Sequence, residues 1–161
     1  MIKTKEMVDY KGNVEKIACL ACAREQGEIN SGEIARSKYF DAHQDCFVPI
    51  PGLVIISARR HIQSFAEFTD REQRDFIKFL CRTRLAMKQA LGVKVIYLYH
   101  REDTEHHFHL CLLPRHGWMK KFGTKTESVR PIINYAKKKF KTRNDIMKVE
   151  AATEKLKQFL K

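Results

Sequence analysis

Residues 93–114 constrain the fold of this chain most strongly, because they contain two strand-forming segments separated by a short polar turn. The first segment, VKVIYLYH, is rich in β-branched and aromatic residues, and the second stops at Pro114, which cannot donate a backbone hydrogen bond. Period-two alternation places His107, His109 and Cys111 on one face of the second strand and apolar side chains on the other. The pattern predicts two strands, with two histidines and a thiol on the same side of the second.

The rest of the sequence predicts one more buried strand and three helices. Apolar residues recur at helical spacing in the long helix and in the C-terminal helix. Because the helices follow a group of strands rather than alternate with them, we expect an α+β fold rather than βαβ repeats. The predicted elements are a strand at 52–58, a helix begun by the capping box of Thr69 and Glu72 and ended near Leu91 by Gly92, a helix around 127–140, and a C-terminal helix capped by Asn144.

The composition is that of one globular domain. The chain has 161 residues, of which 43% are apolar, so it has enough apolar surface for a core without disulfide bonds. No apolar run approaches the ~20 residues of a membrane span, and the N-terminal residues do not resemble a secretory signal, which predicts a cytoplasmic protein. The five cysteines are then expected to be reduced thiols or metal ligands.

Positive charge is concentrated near the C-terminus. Residues 119–161 contain 13 lysines and arginines but four acidic residues, which accounts for nine of the twelve net positive charges. We therefore divide the single predicted domain into an N-terminal segment (1–30), a catalytic core (31–118) and a basic helical extension (119–161). The extension is expected to be a solvated surface; a nucleic acid partner is possible but not favoured, and a phosphate-bearing small substrate would also be attracted by this charge.

Two further patterns carry chemistry but leave alternatives open. His107 and His109 are about 7 Å apart on one face of a strand, so that one can bind a metal while the other attacks a substrate. Neutral imidazole is a strong nucleophile, but alternating histidines also occur on half-exposed strands without any such role. Cys19-Leu20-Ala21-Cys22 is a CxxC motif, and by itself it fits half of a zinc site, a redox pair or chance.

The segment HFHLCLLPR, residues 107–115, resembles the signature of the histidine triad superfamily, in which histidines alternate with hydrophobic residues before Pro-Arg. Upstream, Pro51-Gly52, the strand that ends at His61 and the capped helix are similar to other blocks of that family. The resemblance extends from about Cys19 to Arg115. It implies a homodimeric α+β fold, with an antiparallel sheet and a long helix packed on it, that binds nucleotides and acts at the α-phosphate.

The resemblance also implies roles for individual residues. His109 matches the family's nucleophile, which forms a nucleotidyl-histidine intermediate that water or another acceptor resolves. Thr104 matches a hydroxyl residue that donates to a phosphate oxygen, although it could equally be a turn residue. Asp45 matches the acid that accepts the ribose hydroxyls, with a solvated loop acid as the alternative. Arg115 is expected either to bind phosphate or to anchor the local structure.

Zinc is implied by a second part of the resemblance. In zinc-containing bacterial members, which resemble diadenosine tetraphosphate hydrolases, the ligands are a CxxC pair, the histidine that ends the buried strand and the first triad histidine. These positions correspond to Cys19, Cys22, His61 and His107. Four protein ligands and no open position are typical of structural zinc.

The sequence departs from the family pattern at the site itself. Cys111 stands at the third triad position, which is His or Gln in the family and helps to hold the phosphate or leaving group. Asp103 stands where Gln often precedes the hydroxyl residue, which places a negative charge near the phosphate. Three hypotheses follow: a nucleotide hydrolase or nucleotidyl transferase, a catalytically weakened nucleotide-binding regulator, and a zinc-stabilised nucleic acid binder that uses the basic extension.

Overall fold

The structure of the protein, a computed structural model, describes residues 4–103 and 107–161. Within these ranges, no helix is long and apolar enough to cross a membrane. The strands are β1 (Lys5–Val8), β2 (Val14–Ile17), β3 (Glu33–Arg36), β4 (Phe40–Gln44), β5 (Val54–Ala58), β6 (Ile96–Tyr99) and β7 (His109–Pro114). The helices are α1 (Leu20–Glu25), α2 (Asp70–Leu91), α3 (Val129–Lys139) and α4 (Arg143–Leu160), with short 3-10 helices at Phe65–Glu67, Gly117–Phe122 and Thr126–Ser128.

Five strands form an antiparallel sheet in the order β3-β4-β5-β7-β6, and β1 and β2 form a separate hairpin. The two strands predicted from residues 93–114 pair with each other as β6 and β7. The apolar run predicted at 52–58 becomes β5, the central strand, and all five of its residues are buried. Burial on both faces explains why its sequence, apart from Ser57, is apolar rather than alternating.

The long helix α2 packs on one face of the sheet. Thr69 caps it by accepting a hydrogen bond from the backbone N–H of Glu72, and it ends before Gly92, whose φ of 67° favours glycine. The apolar side chains of the helix and the sheet form one core, which includes Phe40, Ala42, Ile56, Phe79, Met87, Phe108 and Leu112. An antiparallel sheet with a long helix packed on it confirms the predicted α+β fold class.

A second apolar cluster lies on the opposite face of the sheet. It joins β7 to the 3-10 helix Gly117–Phe122 and to α3, which was predicted at 127–140. Because side chains alternate along a strand, Leu113 in this cluster shares its face with His109 and Cys111. The C-terminal extension therefore covers part of the face that carries the chemistry. The buried members are Val48, Ile50, Leu53, Leu113, Met119, Ile132 and Ala136.

The last helix, α4, packs on α2 and β3, and its buried residues are the predicted apolar stripe, with Ile146 only partly buried. Its cap differs from the prediction. Thr142, not Asn144, is the N-cap residue, and its hydroxyl accepts a hydrogen bond from the backbone N–H of Asp145. The Asp145 carboxylate accepts in return from the backbone N–H of Thr142, so that both exposed donors are satisfied. This reciprocal pair places the start of the helix two residues earlier.

The cap of α2 makes stability depend on pH. Hydrogen bonds from Arg60 are the largest cause that lowers the pKa of Glu72, from an ordinary 4.5 to about 2. A carboxyl group with a lowered pKa stabilises the fold above its unfolded pKa, and the stabilisation is lost as pH falls from 4.5 toward 2.

We expect Glu72→Gln to lower the free energy of unfolding by about 1 kcal/mol at pH 7, because Arg60 is largely exposed and solvent screens the pair. The difference from wild type should shrink as pH falls from 4.5 to 2. Urea unfolding at several pH values measures it. A difference that stays constant over this range would show that the charge of Glu72 has no part in stability.

Candidate metal centre and active site

Four residues from three separate parts of the chain form a candidate metal centre. Cys19 caps α1, Cys22 lies within α1, His61 follows β5, and His107 comes just before β7. One ligand atom from each lies within 4.8 Å of all the others. Because β5 and β7 are paired, the residue beyond the end of one strand lies near the residue before the start of the other. The sheet thus brings the two histidines together, and α1 presents both thiols to them.

The distances in this cluster fit tetrahedral zinc. Cys22 Sγ lies 3.3 Å from His61 Nδ1 and 3.6 Å from His107 Nδ1, and Cys19 Sγ lies 3.4 Å from His107 Nδ1. Zinc bonds of the usual lengths in a tetrahedron place sulfur and nitrogen ligands about 3.6 Å apart. His107 Nε2 donates its hydrogen to the Ala58 carbonyl at 2.5 Å, so its Nδ1 lone pair faces the cluster.

The pKa values of the two thiols shift in opposite directions. Hydrogen bonding with His107 and Cys22 outweighs burial and lowers the pKa of Cys19 to about 6, whereas burial and the neighbouring Cys19 raise the pKa of Cys22 to about 11. A thiolate is the form that binds zinc. The four residues predicted as ligands are therefore brought together, and the set fits a structural zinc ion with no open coordination position.

His109, the predicted nucleophile, begins β7 and is partly exposed. Its Nδ1 lies 2.9 Å from the backbone carbonyl oxygen of His107, an acceptor that requires the proton to be on Nδ1. Nε2 then carries the lone pair. This is the tautomer that an attacking imidazole needs, and the backbone of the strand itself fixes it.

Cys111 lies on the same face as His109 but is buried, with 5% of its surface exposed. Burial raises the pKa of its thiol to about 12, although a hydrogen bond with Tyr99 opposes the shift. The thiol is neutral at pH 7. A buried, protonated thiol is a poor nucleophile, so the geometry favours His109 over Cys111 as the attacking group.

The predicted substrate-binding residues have different surroundings. Asp45 Oδ1 accepts hydrogen bonds from the backbone N–H groups of Phe47 and Val48, and burial raises the pKa of its carboxyl group. Arg115 donates to Ser128 Oγ and to the Gly123 carbonyl, which favours the anchoring role for this side chain. Thr104, the predicted phosphate donor, lies outside the described residues. These assignments stay predictions.

Sequence reasoning missed a buried polar group on the same face of the sheet as His109. His43 Nδ1 lies 2.8 Å from Asp41 Oδ2, and Arg24 Nε lies 3.4 Å from the same oxygen. All three residues are less than 5% exposed. The alternation of polar and apolar residues in FDAHQ, residues 40–44, was a signal for β4 and would have placed Asp41 and His43 on one face.

A cavity of about 170 Å³ lies beside the loop that follows Asp45. Its lining mixes apolar side chains and amide groups with the carboxylates of Asp9 and Glu28. Residues that line it include Met7, Asn13, Ile17, Leu20, Asn30 and Phe47.

The fold is similar to that of several solved histidine triad proteins. A zinc-bound histidine triad family protein from Mycobacterium smegmatis has a TM-score of 0.60 at 15% identity, and the match covers 87% of this chain and 94% of that one. A Hit-like protein involved in cell-cycle regulation from Bartonella henselae has a TM-score of 0.60 at 17% identity, covering 88% of this chain and 96% of that one. A HIT family protein from Bacillus anthracis has a TM-score of 0.58 at 19% identity, covering 84% and 94%.

The similarity at these identities is one of fold. No protein-family model matches the sequence, and no curated protein matches it. The chain thus has the histidine triad fold, with a Cys/His cluster that fits zinc. The motif in residues 107–115 had predicted this fold.

Proposed function

We propose that the protein is a nucleotide hydrolase or nucleotidyl transferase that acts at the α-phosphate of a nucleoside 5′-phosphate derivative. The substrate would be a dinucleoside polyphosphate or a nucleoside phosphoramidate, and the active species a homodimer. The observation that carries the proposal is the orientation of His109. Its Nδ1 proton is held on a backbone carbonyl, which leaves Nε2 as a nucleophile on the partly exposed face of the sheet.

The reaction proceeds in two displacements. The Nε2 lone pair of His109 forms a bond to the α-phosphorus, and the bond from phosphorus to the leaving group breaks with its electron pair. The nucleotidyl-histidine that results carries a positive charge shared over the ring, because Nδ1 keeps its proton. Water or another acceptor then attacks phosphorus, and the electrons of the P–N bond return to Nε2. Two steps with a labile intermediate replace one difficult displacement.

Groups around His109 supply the binding interactions. Asp45 uses Oδ1 for the backbone, and we assign Oδ2 to a ribose hydroxyl. Lys137 of α3 lies near enough to Asp45 to affect the pKa of its carboxyl group, and Arg101 acts in the same way on Cys111. These two side chains offer positive charge to the phosphates in place of Arg115, which is held by its own structural contacts.

Zinc supplies stability rather than chemistry in this proposal. When bound, it would tie α1 to His107, two residues before the nucleophile, and its four protein ligands leave no position for substrate.

The test is the mass of the intact protein after brief incubation with a panel of nucleoside phosphoramidates and dinucleoside polyphosphates, quenched at high pH, where phosphohistidine survives. We expect a mass increase of one nucleotidyl group, mapped to His109 by fragmentation of the peptide. Attachment to another residue would contradict the assignment. The absence of any adduct and any turnover would contradict the proposed activity.

A nucleotide-binding regulator is the second candidate, because the buried neutral thiol of Cys111 offers little help to a departing group. In that case nucleotides would raise the melting temperature without any turnover. A nucleic acid binder is the third candidate and would use the exposed lysines of α3, Lys137, Lys138 and Lys139. Oligonucleotide binding that weakens steeply with salt would favour it.

A further inference from the structure

His43 and Asp41 lie on the same face of the sheet as His109. The register pairs Asp41 with Ser57 and Ser57 with His109, so that these three residues form one row across β4, β5 and β7. His43, Ile55 and Cys111 form the next row. Directly paired residues share a face, and two strand spacings place the Cα atoms of Asp41 and His109 about 10 Å apart.

The middle of the first row is a serine. A small side chain between Asp41 and His109 leaves more room above the sheet than a branched residue would. His43 and His109 are also close enough for the charge of one to affect the other. Both imidazoles therefore lie on the face of the sheet that carries Ser57.

The proton of His43 is held in the same way as that of His109. The Asp41 carboxylate is ionised, because hydrogen bonding to His43 and the charges of Arg24 and Arg36 outweigh burial and keep its pKa low. It is thus an acceptor, and His43 Nδ1 donates to it at 2.8 Å. His43 Nε2 carries the lone pair. Burial also lowers the pKa of His43, which favours the neutral ring.

The second displacement of the proposed reaction needs a group that accepts a proton from water. Cys111, which stands at the third triad position, is a buried neutral thiol and does not accept one. His109 is bonded to phosphorus at that stage. Among the described side chains paired in these two rows, His43 is the neutral base that remains.

We infer that His43, oriented by Asp41, is the general base for hydrolysis of the nucleotidyl-His109 intermediate. This inference rests on the proposed function. Water oxygen forms the new bond to phosphorus, its proton goes to His43 Nε2, and the P–N bond breaks with its electrons returning to His109. The protonated ring of His43, stabilised by the Asp41 carboxylate, then releases the proton to solvent with the nucleotide product.

The experiment separates formation of the adduct from its breakdown in single-turnover measurements on the zinc-loaded protein. We expect His43→Gln to form the adduct at a rate within about threefold of wild type and to hydrolyse it about 100-fold more slowly, the effect of losing a general base. Asp41→Asn, which keeps the shape of the side chain, should slow breakdown to a smaller extent. Thr83→Val is the control, because Thr83 is also a fully buried polar residue but lies on α2.

Fluoride distinguishes a base from a structural residue, since it attacks phosphorus without a proton to remove. Fluoride should convert the adduct to a nucleoside phosphorofluoridate at similar rates in wild type and His43→Gln. If His43→Gln and Asp41→Asn hydrolyse the adduct as fast as wild type, the inference is wrong and the proposed function stands. If His43→Gln slows the attack of fluoride and the attack of water by the same factor, His43 is a structural residue; the inference is again wrong and the proposed function stands. If wild type forms no adduct, the proposed function fails first and this inference fails with it.

Discussion

Replacing Cys22 with serine is expected to remove zinc and to lower the melting temperature by about 8–16 °C. The estimate takes a metal at about 1,000 times its Kd, which stabilises the folded state by about 4 kcal/mol, and a domain of this size shifts by about 2–4 °C per kcal/mol. Cys22 is the thiol that lies near both histidines of the cluster. Its loss leaves three ligands and separates α1 from the ends of β5 and β7.

Metal analysis and thermal unfolding measure this effect. Protein purified without added zinc should contain close to one equivalent per chain, and Cys22→Ser close to none. Cys81→Ser is the matched control, because Cys81 is an exposed thiol on α2 outside the cluster. A chelator should lower the melting temperature of wild type and of Cys81→Ser but leave that of Cys22→Ser unchanged. A stable wild-type protein without metal would contradict the structural zinc site.

The elements that could be predicted from the sequence are those in which the hydrophobic or capping pattern of a short segment matches its burial and hydrogen bonding in the folded protein. The strand β5 is apolar apart from Ser57 because both of its faces are buried, and the capping box at Thr69 is complete within four residues. The strand that carries His109 shows its two faces directly in its alternation. In each case a short segment contains the whole signal.

Features that depend on contacts between distant segments could not be predicted from local sequence patterns alone. The metal cluster joins residues up to 88 positions apart in sequence, and the CxxC motif alone left three interpretations open until the pairing of β5 and β7 placed His61 beside His107. Arg24, Asp41 and His43 form a buried network that has no motif, since only the tertiary structure brings Arg24 from α1 onto β4. The sequence also left the role of Arg115 open between phosphate binding and anchoring, because its partners Ser128 and Gly123 are identified only by the tertiary structure.

Replacing His109 with alanine is expected to lower kcat/KM by about 10⁴- to 10⁶-fold, the range typical for removal of a covalent nucleophile. Zinc content and melting temperature should change little, because the side chain of His109 is partly exposed and lies outside the metal cluster. His116→Gln serves as the control. His116 is a half-buried histidine whose Nε2 hydrogen-bonds to the Pro51 carbonyl, an interaction that glutamine can replace.

The comparison of three variants then assigns each histidine a separate kinetic effect. His109→Ala should prevent adduct formation, His43→Gln should form the adduct and retain it, and His116→Gln should behave as wild type. If His109→Ala keeps turning over substrate at the wild-type rate, covalent catalysis by this residue is excluded. If His109→Ala loses turnover but still binds nucleotide, the chemical step is the one that is lost. This is the result expected for a nucleophile whose Nε2 lone pair is oriented by the hydrogen bond from Nδ1 to the backbone carbonyl of His107.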